Sequence, residues 1–244
     1  MNINRKKERG VKRMEENKNT EQNVNTEEIK KETVDTVNQV KETIKNVDIK
    51  NDAKEATGFV SSMVKDPFGT IKQIVNDSTN KHFKTAIIFM IVWMAIIFVS
   101  KIFGTYYIGR TFTFRFAFEQ ILSFIKAVIA PLVGVIVLSG IVYMMNKENK
   151  KSLITTITAI VTAKIPVIIG SAVSLLTIID SNIGKITSPF ASLCNVISVV
   201  LTYFAMKSVI GEEQNSKFFK KFVAIEAIFY VVYVVVSLLG IYMK

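Results

Sequence analysis

The order of apolar and polar residues divides the chain into two parts. Residues 1–84 are rich in charged and polar side chains, whereas residues 85–244 consist mostly of long apolar runs. Five of these runs approach or exceed the roughly 20 residues that a helix needs to cross a bilayer core. The pattern predicts an all-α integral membrane protein, with a bundle of about five transmembrane helices in a membrane domain over 84–244. The predicted spans are 85–103, 119–145, 153–179, 189–210 and 219–243.

The first 64 residues are predicted to form a charged N-terminal arm. Residues 1–30 contain too few large apolar side chains to offset the entropy of ordering, so this part is predicted to be disordered. Spacings of three and four separate the apolar residues Val34, Val37, Val40, Ile44 and Val47, which fits an amphipathic helix within 31–64. Such a helix is either a marginal, solvated one or a partner-binding or coiled-coil segment, and the pattern leaves both open.

A short amphipathic helix is predicted over 65–83, between the arm and the first span. Asp66 can cap a helix whose first residue is Pro67, where the missing N–H costs nothing. Its apolar side is expected to lie on the lipid surface, while neighbouring lysines contact anionic head groups. The apolar side consists of Phe68, Ile71, Ile74 and Val75.

Positive charge indicates the orientation in the membrane. The chain carries a net charge of +11, and most of that excess lies with the apolar part. Lys and Arg near the span ends number eleven on the side of the N-terminus and five on the other side. This asymmetry predicts a cytoplasmic N-terminus and an extracytoplasmic C-terminus. Because the basic residues flank apolar runs and do not cluster on a folded face, no nucleic-acid partner is expected.

Ionisable residues inside predicted spans are the candidate functional residues, because charge at membrane depth is costly. They are Glu119 and Lys126 in the second span, Lys164 in the third and Glu226 in the fifth. One hypothesis is that Lys164 and Glu226 form a buried ion pair that fixes the packing of their spans. The alternatives are that each side chain snorkels towards its nearer interface, or that the groups form a proton or ion relay.

Two prolines inside the predicted spans, Pro131 and Pro166, are expected to kink them. Kinked helices can line transport sites, but membrane bundles also tolerate proline structurally. The motifs of metalloproteases, serine hydrolases and phosphate-binding loops do not occur. With one His, His82, and one Cys, Cys194, no Cys/His metal site can be assembled. We therefore expect a protein that is not an enzyme and that holds no cofactor.

The membrane part resembles the Yip family of Ypt/Rab-interacting membrane proteins, in its bacterial-type branch. The similarity covers roughly 65–243 and follows the entry segment 66–71 (DPFGTI), the segment 163–166 (AKIP) and the segment 203–211 (YFAMKSVIG). The resemblance implies a non-enzymatic, multi-pass protein, here of the cell (plasma) membrane. The small-GTPase role of the eukaryotic relatives is not carried over, because residues 1–64 do not resemble their cytosolic region.

These observations favour a scaffold or accessory factor in membrane organisation or partner recruitment. Its expected partners are the lipid bilayer, anionic lipid head groups and a protein bound through residues 1–64. The alternative is a small permease or channel-like transporter, which would use the kinked second and third spans.

Overall fold

The computed structural model describes residues 27, 30–46, 48–77, 79–106, 131–146, 151–211 and 215–242. Within these residues the protein is built from helices alone, as predicted, and contains no strand. The chain forms two compact units, Met1–Asn46 and Val47–Lys244. Predicted disorder over 1–26, the start of the second span and the residues Glu119 and Lys126 lie outside the described residues.

The first unit contains α1, which spans residues 30–45. The second unit contains eight further α-helices and two short 3-10 helices among its described residues. The α-helices are α2 (Ile49–Lys65), α3 (Pro67–Asn76), α4 (Phe83–Tyr106), α5 (described over Pro131–Met145), α6 (Leu153–Ala163), α7 (Ile165–Ser174), α8 (Gly184–Ile210) and α9 (Asn215–Tyr242). The 3-10 helices are Leu175–Ile178 and Ser181–Ile183.

Three helical stretches in the described part of the chain are long and apolar enough to cross a membrane. They are Phe83–Lys101, Leu153–Ile178 and Gly184–Ile210, and they correspond to the first, third and fourth predicted spans. The shorter helix Pro131–Met145 is also apolar. Helix α9 has 28 residues, or about 42 Å at 1.5 Å per residue. The count of five spans stays a prediction.

Helix α8 has an apolar surface on both sides, which is typical of a helix between protein and lipid. Cys194, Leu201 and Ala205 are buried, and α8 packs along both α6 and α7. On its other side Val196 and Val200 are 62% and 50% exposed. The membrane-spanning helices therefore offer apolar side chains to lipid.

The third span is interrupted at Lys164, two residues before Pro166. The N–H of Lys164 donates to the carbonyl of Val161 at 2.9 Å, which closes the last turn of α6. The hydroxyl of Ser198 on α8 donates to the carbonyl of Ala163 at 2.9 Å, and Ser198 is 1% exposed. A side chain of a neighbouring helix thus supplies a hydrogen bond to the broken backbone where no water is available.

Helix α3 begins as its sequence predicts. The carboxylate of Asp66 accepts a hydrogen bond from the N–H of Gly69 at 2.8 Å, and Pro67 occupies the first turn. Its apolar side, however, packs against α6 and α8, where Ile71 is fully buried and Ile74 is 3% exposed. The expectation that this side lies on lipid is therefore corrected: an amphipathic pattern indicates that one side is covered, and here protein covers it.

Candidate functional site

A cavity of about 290 Å³ lies among four helices of the second unit. Its described walls are largely apolar, and they include two side chains of opposite charge. The lining residues are Trp93 of α4; Pro131, Gly134, Val135 and Leu138 of α5; Lys164 at the junction of α6 and α7; and Glu226 and Phe229 of α9.

Lys164 and Glu226 are 62 positions apart in the sequence, and the fold brings them to the same cavity. Glu226 acts electrostatically on Lys164. Within the described residues, however, no nitrogen–oxygen distance of 4.0 Å or less joins the two groups. The cavity therefore holds two opposite charges that interact through space without forming a salt bridge, and the buried ion pair stays a hypothesis.

The two prolines relate to this cavity differently. Pro131 lines it, and as the first described residue of α5 it leaves any kink before it outside the described residues. Pro166 does not belong to the described lining, but it follows the helix break that positions Lys164. Gly134 lies close to α9, because a Cβ added there would lie 3.4 Å from Cζ of Phe229.

A second polar feature joins α2 to the start of α4. Nζ of Lys84 lies 2.7 Å from Oδ1 of Asp52, and Oδ2 of Asp52 accepts a hydrogen bond from the N–H of Asp48 at 2.7 Å. These contacts hold the pKa of Asp52 below its ordinary value of 3.8, chiefly through the hydrogen bond from Lys84. Asp52 thus stays ionised and ties the first turn of α2 to α4.

Apolar contacts support this attachment. Phe59 and Met63 on α2 are 8% and 5% exposed, and the ring of Phe59 lies 6.0 Å from that of Phe89 on α4. The sequence reasoning missed this packed face and Asp52. A signal was available, since Ala56, Phe59 and Met63 recur at spacings of three and four.

His82 lies beside the same contact, immediately before α4. Its ring centroid is 5.4 Å from that of Phe59, and its Nε2 is buried without a hydrogen-bond partner among the described residues. Burial lowers the pKa of His82 from its ordinary 6.5, and the charge of Lys81 lowers it further, whereas Asp77 and Glu55 act in the opposite direction. His82 is therefore held neutral against α2 at neutral pH.

On α3, Phe68 occupies the exposed border of the buried face. It is 45% exposed, but its ring stacks edge-on against Phe204 of α8 at a centroid distance of 4.8 Å.

In the described parts of the chain no group of three or more His, Cys, Asp or Glu side chains could hold a metal ion.

Comparison with known proteins assigns the chain to a family. The Yip1 domain model matches residues 61–241, which is most of the chain, and the chain belongs to the Yip1 domain family. No curated protein and no solved structure matches it. The match begins inside α2 and reaches α9, so it covers the apolar bundle and the cavity. The family identifies a membrane protein, and it is not known as a family of enzymes.

Proposed function

We propose that this member of the Yip1 domain family is a non-enzymatic scaffold in the cell membrane, whose bundle anchors a cytoplasmic helix that recruits a protein partner. The observation that supports it most is the exposure of large apolar side chains on α1: Val34 is 58%, Val37 47% and Ile44 52% exposed. These positions form one stripe of the helix. An exposed apolar stripe of this kind suits a partner helix with a complementary stripe.

The second unit supplies the anchor in this proposal. Helix α2 is held on α4 by the contact of Asp52 with Lys84 and by the burial of Phe59. Since the second unit begins at Val47, removal of residues 1–46 keeps α2 and its contacts, whereas removal of 1–64 would destroy them. The shorter deletion is therefore the one that separates partner recruitment from folding of the bundle.

Photo-crosslinking in intact cells tests the proposed recruitment. A photoreactive amino acid is placed at position 37 or at position 39, which lie about 160° apart around α1 at 100° per residue. We expect a discrete crosslinked protein from position 37 and little from position 39. A second pair of variants replaces the same two positions by Asp. Val37→Asp should abolish recruitment of that protein, whereas Gln39→Asp, which adds the same charge on the other side of α1, should not. Equal crosslinking at both positions would contradict the proposal.

A small permease is the second candidate, because the cavity gathers Pro131, Lys164 and Glu226 between helices. The deletion of residues 1–46 discriminates between the two candidates. A scaffold loses its partner while the bundle keeps its thermal stability, whereas a permease keeps its transport activity.

The proposed orientation is tested by labelling single cysteines with a membrane-impermeant reagent in intact cells. The background variant is Cys194→Ser, which removes the one native thiol, a buried one. We expect labelling only at the reporters of the extracytoplasmic side, and labelling at the other reporters instead would invert the orientation. The extracytoplasmic reporters are Thr111, Asn182 and Lys244, and the cytoplasmic ones are Ser62, Asn149 and Asn215.

A further inference from the structure

The cavity between α4, α5, α9 and the junction of α6 and α7 carries two opposite charges that form no salt bridge with each other. Lys164 and Glu226 both line it, and no nitrogen–oxygen distance of 4.0 Å or less joins them in the described part of the chain. Both side chains are half-buried, and a charge that is partly withdrawn from water is costly unless it is paired or hydrogen-bonded. We propose that the cavity binds a compact zwitterion, whose anionic group contacts Lys164 and whose cationic group contacts Glu226.

The balance of charge favours a zwitterion over a simple ion. The described lining contains one cationic and one anionic side chain, so its net charge is zero. A lone anion would pair with Lys164 and leave Glu226 facing a second negative charge, and a lone cation would do the reverse. A ligand that carries both charges satisfies each side chain and adds no net charge at membrane depth.

The size and the walls of the cavity define the ligand further. Its volume of about 290 Å³ lies at the lower end of the range of small-molecule pockets, which is about 300–1,000 Å³, and therefore suits a compact ligand. Trp93 and Phe229 lie in the wall, and aromatic faces attract ammonium groups, most strongly quaternary ones. The ligand class is therefore an amino-acid-sized zwitterion with an ammonium group. Free solutes and zwitterionic lipid head groups share this chemistry.

Position 134 allows the site to be closed without removing either charge. Gly134 lines the cavity, and a Cβ built on it already lies 3.4 Å from the ring of Phe229. Leu at this position would fill the space between α5 and α9. Gly140 on the same helix does not belong to the described lining of the cavity, and a Cβ built on it would meet no described atom within 4 Å, so Gly140→Leu is the matched control.

Trp93 makes binding measurable, because it is the sole tryptophan of the chain and lies in the cavity wall. The full-length protein is purified in a non-ionic detergent and titrated with glycine betaine while Trp93 emission is recorded. Acetate and tetramethylammonium, each carrying one of the two charges, are the control probes. In a second arm, emission is compared between nanodiscs of phosphatidylglycerol alone and nanodiscs that contain phosphatidylethanolamine.

We expect a saturable change of emission with betaine, or with phosphatidylethanolamine, and none with either control ion at the same concentration. A response to betaine identifies a free solute, and a response confined to the lipid arm identifies a head group. Lys164→Met removes a hydrogen bond to the anionic group of the ligand, and Glu226→Gln removes the negative charge beside its cationic group. Each replacement should weaken binding roughly 10- to 100-fold. Gly134→Leu should abolish binding, and Gly140→Leu should not.

Three results would overturn the proposal. They are the absence of a response in both arms, an equal response to the control ions, and unchanged binding by Gly134→Leu. If Lys164→Met or Glu226→Gln fails to fold, the titrations of the wild-type protein and of the two glycine variants still show whether the cavity binds a zwitterion, because these proteins keep both charges.

Discussion

Replacement of Gly170 by Ala tests the close packing of α7 against α8. A Cβ at position 170 would lie 2.9 Å from Cβ of Cys194 and 3.2 Å from Cα of Ala191. Carbon atoms attract each other best at about 3.5–4.0 Å, so the two helices would have to separate by roughly half an ångström. Because Cα of Ala191 is backbone, a rotamer change cannot relieve the contact.

The expected loss is the difference between two opposing effects. Overpacking of a tight contact costs about 1–3 kcal/mol, whereas Ala stabilises a helix by up to about 1 kcal/mol relative to Gly. We expect a net loss of up to about 2 kcal/mol for Gly170→Ala. At about 2–4 °C for each kcal/mol in a chain of 150–250 residues, the melting midpoint falls by up to roughly 8 °C.

The native thiol reports this contact directly. Cys194 is the sole cysteine of the chain, it is buried, and it forms part of the contact. A fluorogenic maleimide that reacts with Cys194 during a thermal ramp therefore records the separation of α7 from α8. Gly140→Ala is the control, since its Cβ would meet no atom of the described residues within 4 Å. If Gly170→Ala shifts the midpoint upward as the control does, the packing argument is refuted.

Three further outcomes are expected. Lys84→Met should speed hydrogen exchange of the α2 amides and leave α8 unchanged, because Asp52 loses its ion pair. Since the folded-state pKa of His82 lies below 6.5, its contribution to stability is present above pH 6.5 and decreases as the pH falls below that value. Protection of the α2 amides against hydrogen exchange should decrease over the same pH range, and His82→Phe should remove this pH dependence. Ser198→Ala should lower the melting midpoint by a few degrees in the same thiol assay, because the carbonyl of Ala163 loses its partner, at a cost of about 0.5–2 kcal/mol.

The apolar pattern predicted those parts of the fold that follow from local physics. Length and hydropathy located the helices α4, α6 to α7 and α8, and the residue types at 66 and 67 predicted the start of α3. The pattern could not predict whether protein or lipid covers an apolar face. Lipid and protein bury Ile71 equally well, so its contact with α6 and α8 depends on the tertiary structure.

The arm shows a second limit of the sequence pattern. The stripe of Val34 and Val37 is a clear periodic signal, yet these residues are exposed, while Phe59 and Met63 of α2 are buried. Burial of α2 depends on its contact with α4, including an ion pair between residues 32 positions apart. Local periodicity contains no information on such pairing, and the same is true of the cavity that joins α4, α5 and α9.

At the break in the third span, Ser198 and Lys164 have different roles: Ser198 supplies a hydrogen bond that the fold needs, and Lys164 supplies a charge to the cavity. The hydroxyl of Ser198 already bonds the carbonyl of Ala163 at the break, so the charge of Lys164 is not required to satisfy that backbone group. A single replacement, Lys164→Leu or Glu226→Leu, leaves one charge uncompensated in the cavity and should lower expression and thermal stability. The double replacement removes both charges and should restore the two properties, because apolar side chains suit the cavity walls. If the double variant is as unstable as the single ones, the two charges do not compensate each other, and each is held by a separate part of the structure.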